Sequence, residues 1–151
     1  MDGVLVDSEP LYYRADQKMF ADLGVPFTKE DVHGLVGVNS RAGAAGILKR
    51  HPELCYSLEE MDAIYRASLL NALKTSEELC LIPGVFDWVK QLRADGYRVA
   101  VASSSTAPMV AYIMERFGLD QMMDAVINGE MVRVAKPDPE IFLLAAQKID
   151  V

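Results

Sequence analysis

Two cysteines, two histidines and one tryptophan are all that 151 residues hold of those types. Cys55 and Cys80 stand far apart with no metal-ligand spacing, so no disulfide framework and no thiolate metal site is read from them. Both are expected to be reduced, and structural or incidental. His33 and His51 are remote from one another and are expected at the surface or in loops. No apolar run reaches the length of a membrane span, and the first residues lack the basic-then-apolar plan of a signal peptide. Cytoplasm is therefore the expected location. Positive charge is also short: 15 Lys and Arg against 22 Asp and Glu give a net charge of −7, the wrong sign for a partner made of nucleic acid or anionic lipid. Repeats and low-complexity tracts are missing as well.

What is present describes a folded chain. Apolar residues make up 51% and charged residues 25%, in the range of globular proteins. The length suffices for one core, or for a small core with a second unit beside it.

Met1 to Pro10, MDGVLVDSEP, reads as the end of a buried strand, an Asp2-Gly3 turn and the start of a helix. Ser8 suits the N-cap and Pro10 the first turn. Leu11, Ala15, Met19, Phe20 and Leu23 then recur at helical spacing over residues 9–23, where Gly24 stops the helix. Tyr12, Tyr13 and Phe20 are read as core and hinge packing. Thr28-Lys29-Glu30-Asp31 opens a short helix as a capping box, and Gly34 is expected to close it. Ser40 is expected to cap a third helix running to His51-Pro52. Ser57-Leu58-Glu59-Glu60 is a second capping box, heading a long helix to about Lys74. From there the pattern changes. A helix over 84–95 closed by Gly96, a strand over 97–102, a helix over 107–117, a strand over 125–128 and a helix over 139–149 alternate through short connections. Such alternation predicts a parallel sheet with helices on its faces.

Three stretches carry candidate chemistry. Asp2-Gly3 is the acidic turn, Ser103-Ser104-Ser105-Thr106 follows a strand, and Lys136-Pro137-Asp138-Pro139 precedes a helix. Read alone, the serines are also consistent with a polar loop capping the next helix, and Lys136 with a solvated lysine. In this order the three resemble the first three motifs of the haloacid dehalogenase-like superfamily, in its branch of small phosphatases and β-phosphoglucomutases.

The resemblance implies an α/β fold. A Rossmann-like parallel-sheet core, incomplete here, comprises residues 1–8 and 82–151, and a helical cap over 9–81 is inserted after the first strand. It implies that Asp2 is the general acid/base and that its backbone carbonyl is a Mg²⁺ ligand. Ser103 and Lys136 would hold phosphate, helped by the backbone of Ser104, by Ser105 and by the N-terminus of helix 107–117. Gly37 to Arg41 resembles the branch's specificity loop, with Arg41 either reaching a distal phosphate or polar group of the substrate or simply solvated.

In that family the first motif is Asp-x-Asp-Gly, and Asp2 matches its second Asp. The nucleophilic Asp would precede Met1, and the acidic fourth motif would follow Val151. The expectation is thus a piece, cut at both ends, of a Mg²⁺-dependent phosphatase acting on a small phosphorylated metabolite through an aspartyl-phosphate, inactive as 151 residues. One alternative is a β-phosphoglucomutase-like mutase, a branch that typically carries His where this chain has Tyr12. Another is a non-catalytic binding or regulatory remnant.

Overall fold

The computed structural model describes residues 1–151, and the chain divides into two compact units, Glu9–Glu78 and Met1–Ser8 with Leu79–Val151.

The first unit is wholly helical. It comprises α1 (Glu9–Leu23), α2 (Lys29–Leu35), α3 (Ser40–Arg50) and α4 (Leu58–Thr75), with α4 packed on α1 and α3, and α2 on α3. The apolar stripe of each helix supplies the core, in which Phe20, Ile47, Met61 and Leu73 are fully buried. Each such side chain contributes about 1.5–3 kcal/mol through removal from water. The two capping boxes form as read: Thr28 accepts from the Asp31 amide, and Ser57 from the Glu60 amide.

Four features of this unit depart from expectation. Asn39 rather than Ser40 caps α3, its side chain accepting from Ala42 N–H at 2.8 Å, and Ser40 is the first helical residue. Tyr13 is exposed, and its ring meets Phe27 at 5.6 Å. His51 is buried rather than superficial, edge-on to Phe20 and bonded to the buried Asp31. Finally, α2 runs through Gly34 to Leu35. The reason for Gly34 is Arg50: a Cβ at Gly34 would lie 2.5 Å from Arg50 Nη1, and one at Gly46 3.0 Å from the same atom. The guanidinium occupies a slot between two glycine-bearing helix faces, from which Arg50 Nε donates to Asp31 at 2.6 Å.

The second unit alternates helix and strand: α5 (Val85–Ala94), β1 (Ala100–Ala102), α6 (Ala107–Arg116), β2 (Ala125–Ile127) and α7 (Glu140–Lys148). β1 and β2 pair in parallel, Ala100 against Ala125 and Ala102 against Ile127. α7 packs on both strands, placing Ile141 and Ala145 against Ile127 and the small strand residues Ala100, Ala102 and Ala125.

The strand read over 97–102 is three residues shorter at its start. Its partner begins only at Ala125, and the Val99 amide is taken by the Asp124 carboxylate at 2.7 Å instead of a ladder carbonyl. Residues 1–6 likewise form a turn with single bridges, Asp2 to Val6 and Val6 to Leu81, and not the tail of a continuous strand.

Candidate functional site

The turn at the start of the chain is built on one carbonyl. Met1 C=O accepts from Leu5 N–H at 2.7 Å and from Val4 N–H at 3.2 Å, while Gly3 N–H returns to Val6 C=O at 3.0 Å. Gly3 sits at φ +65°, a backbone state that glycine adopts without a Cβ penalty. The turn leaves the Asp2 carboxylate facing two hydroxyls. Ser8 Oγ, fully buried, donates to Oδ1 at 2.8 Å, and Ser105 Oγ donates to Oδ2 at 2.7 Å. Ser8, read as an N-cap, thus spends its hydroxyl on Asp2.

The serine loop follows β1. Ser103 is buried; its N–H continues the ladder to Ile127 C=O at 2.9 Å, and its Oγ accepts from Ser105 N–H at 3.2 Å. Ser104 is half-buried. Lys136 is exposed and reaches back to the end of β1, where Nζ donates to Ala102 C=O at 2.9 Å and lies 4.8 Å from the Phe142 ring centroid.

Asp2, Ser103, Ser104, Ser105 and Lys136 therefore belong to one unit, with Asp2 and Ser105 in direct contact. Gly37 and Arg41 belong to the helical unit. Gly37 is exposed at φ +74°, and Arg41 pairs with Glu59 at 2.8 Å on the surface.

Three residues of the site escaped the sequence reading. One is Ser8, whose bond to Asp2 has no local signal. The others, Gly129 and Glu130, follow β2. Gly129 N–H donates to Ser105 C=O at 2.9 Å, and a Cβ on Gly129 would overlap the Ser104 carbonyl. A glycine just past a strand end is the signal that was available, because it marks close backbone approach. Glu130 accepts at 3.2 Å from the N–H of Ala107, the first residue of α6. The α6 amide end, read as an aid to phosphate binding, is thus already met by a carboxylate of the chain.

Gly129→Ala is expected to shift the serine loop and to lower stability by about 2 kcal/mol or more, since backbone rather than a flexible side chain must give way. Urea unfolding followed by circular dichroism, with the amide shifts of Ser103–Ser105, measures both effects. An unchanged loop would refute the close approach.

The residues present do not by themselves fit Mg²⁺. That ion takes six oxygens, several from carboxylates. Here Asp2 brings one carboxylate with both oxygens already hydrogen-bonded, and no three His, Cys, Asp or Glu side chains converge anywhere in the chain.

Known proteins share this arrangement of sequence and fold. The family model described as haloacid dehalogenase-like hydrolase matches residues 1–151. A phosphorylated carbohydrates phosphatase of Thermotoga maritima is 33% identical over 152 residues, covering 100% of this chain and 68% of that protein. Hexitol phosphatase B of Escherichia coli is 30% identical over 153 residues, with 100% and 68% covered. Among solved structures, CbbY from Rhodobacter sphaeroides in complex with phosphate superposes with a TM-score of 0.84 at 28% identity, over 100% of this chain and 70% of that one.

Proposed function

Because the chain belongs to the haloacid dehalogenase-like hydrolase family, we propose that it carries the acid/base and phosphate-binding parts of a phosphatase for a small phosphorylated metabolite, foremost a sugar phosphate. The observation that carries this reading is the Asp2 carboxylate held by Ser8 and Ser105 beside the Ser103–Ser105 loop. Two hydroxyl donors fix its orientation. In that position its protonated form gives a proton to the leaving alkoxide, and the carboxylate so formed takes one back from the attacking water. Ser103 and the Ser104 amide grip phosphoryl oxygens, and Lys136 supplies their counter-charge, a role that positioned cations fill in phosphoryl transfer. The helical unit, Glu9–Glu78, is assigned substrate selection, with Gly37 and Arg41 in its specificity loop.

The carboxylate nucleophile of the family motif stands two residues ahead of the acid/base, and none of these 151 residues occupies that place. The 151-residue polypeptide is accordingly read as unable to form the aspartyl-phosphate. Mg²⁺ dependence is what the family reading implies; the Asp2 backbone carbonyl would be one ligand, and carboxylates other than those that converge here would have to supply the rest. The phosphatase reading is preferred to the mutase one on Tyr12.

The test separates binding from turnover. The 151-residue polypeptide is expected to release no phosphate above background from a panel of sugar monophosphates, with or without Mg²⁺. It is nevertheless expected to bind inorganic phosphate, with shifts at Ser103, Ser104 and Lys136 in an NMR titration. Lys136→Met should weaken that binding about tenfold or more, the effect of removing one charge-assisted contact. Binding indifferent to Lys136→Met would overturn the assignment.

A further inference from the structure

We propose that Asp16 is a specificity-determining residue of the helical unit: its carboxyl pairs with a hydroxyl group on the body of the ligand, so that a polyhydroxylated phosphomonoester is preferred to one with an alkyl body. That this ligand is a substrate rests on the phosphatase reading above; the pairing of Asp16 with a hydroxyl does not.

Asp16 stands where a helix ordinarily places an apolar residue. The buried positions of α1 are Leu11, Ala15, Asp16, Met19 and Phe20, and the others form the apolar stripe of the helix. Asp16 is 6% exposed, and its Oδ1 is buried without a hydrogen-bond partner. A polar atom left in that state costs free energy that a partner would offset.

The other buried acids of the unit show how an acid with a structural role is held here. Asp31 has Arg50 Nε at 2.6 Å and His51 Nε2 at 3.1 Å, and Asp62 has Arg66 Nε at 2.9 Å. The charge that acts on Asp16 is instead that of Glu9, which has the same sign; burial and then Glu9 push the carboxyl from 3.8 up to about 7. The helical unit thus keeps an acid whose removal would raise its stability. Such a cost is the mark of a side chain held for binding rather than for packing.

The surroundings of Asp16 select the chemistry of its partner. Tyr65 of α4 is buried as well, and its phenol feels the charges of Asp16 and Glu9. A glycine on α3 makes room for that ring: a Cβ on Gly43 would lie 2.8 Å from Tyr65 Cε1. An anionic body is disfavoured by Glu9, and a neutral Asp16 offers an ammonium no full charge to pair with. A hydroxyl donates and accepts, and satisfies Oδ1 without adding charge. An alkyl body leaves Oδ1 unpaired, which lowers affinity about tenfold or more.

The test uses the 151-residue chain with carbon-13-labelled Asp at about pH 6, where Asp16 is neutral. Glucitol 6-phosphate and hexyl phosphate, probes with the same number of carbons, are titrated into it and into Asp16→Leu, which keeps the branched shape and removes the acceptor. The native chain is expected to bind glucitol 6-phosphate about tenfold or more tighter than hexyl phosphate, with a shift of the Asp16 carboxyl carbon for the first alone. In Asp16→Leu the preference should vanish while the affinity for inorganic phosphate, read at Ser103 and Lys136, stays as it was. Asp16→Ala, which adds no bulk, should do the same. A preference that survives both substitutions, or a native chain without one, would overturn the role of Asp16, as would a parallel loss of inorganic phosphate binding. Silence of Ser103 and Lys136 toward every phosphate would overturn the phosphatase reading instead. Glucitol without phosphate then decides Asp16: a saturable shift of its carboxyl carbon upholds the pairing, and an unmoved one refutes it.

Discussion

Asp31→Ala is expected to destabilise the helical unit by about 3–5 kcal/mol, the range for removing one member of a buried ion pair. Asp31 is fully buried and is the common acceptor for four donors. Thr28 Oγ1 reaches it at 2.6 Å, Thr28 N–H at 2.9 Å, Arg50 Nε at 2.6 Å and His51 Nε2 at 3.1 Å. Burial alone would push its carboxyl up. The bonds from Thr28, Arg50 and His51 outweigh burial and hold it well below the usual carboxylate range. Without Asp31, the guanidinium of Arg50 stays wedged between Gly34 and Gly46 with no counter-charge, and α2 loses its capping box. Urea unfolding at pH 7, followed by the helical signal, measures the loss; a midpoint within error of the native protein would refute it. The same depressed pKa fixes a sign. The stability that Asp31 contributes is present above its unfolded pKa, near 3.8, and is lost as pH falls through the folded one.

Asp16→Asn should do the opposite, adding up to about 4 kcal/mol at pH 8 and almost nothing near pH 4. Asp16 is buried on α1, and its Oδ1 has no hydrogen-bond partner. Burial first, then the nearby charge of Glu9, push its carboxyl from 3.8 up to about 7. Tyr65, on α4, is pushed up as well, by burial and then by Asp16 and Glu9. Between those two values the folded chain holds a proton that the unfolded chain has released. The stability linked to that proton is therefore full below 3.8 and is lost as pH rises to about 7. Unfolding midpoints of the native chain and of Asp16→Asn, measured side by side, should diverge as pH rises across that window. Parallel curves would show that Asp16 is not a buried acid. Taken with Asp31, the helical unit is expected to be most stable at about pH 4 to 5.

The fold class was legible because it rests on local signals; Asp2, Ser103 and Lys136 were grouped by the family resemblance, and all three fall in the same unit. Turn residues, capping boxes and an apolar helical period each operate within a few residues. What was illegible depends on residues far apart in the chain. Gly34 looked like a helix stop because the sequence does not announce that Arg50 needs the space. His51 looked superficial because its partner, Asp31, is twenty residues away. Tyr97 and Arg98 carried strand propensity, but a strand ends where its neighbour does, and β2 starts too late to pair with them. In the site, Ser105 and Asp2 are joined across most of the chain, and Glu130 meets Ala107 only because β1 and β2 lie side by side.

At the base of the helical excursion the backbone closes on itself. Asp7 N–H donates to Cys80 C=O at 3.1 Å, Ile82 N–H to Leu5 C=O at 2.9 Å, and Val6 bridges Leu81 in antiparallel fashion. The two points at which the chain leaves and rejoins the α/β unit are thus zipped together like the stem of a hairpin. Whatever lies between them is, topologically, a loop whose ends are already closed. An exchange of residues 9–78 for a different bundle of similar length leaves the closure entropy almost untouched, because that term grows only slowly with loop length. A lineage built on such a stem is free to rewrite the insert wholesale while Asp2, the serines and Lys136 keep their places, and the stem is where a chimera should be spliced.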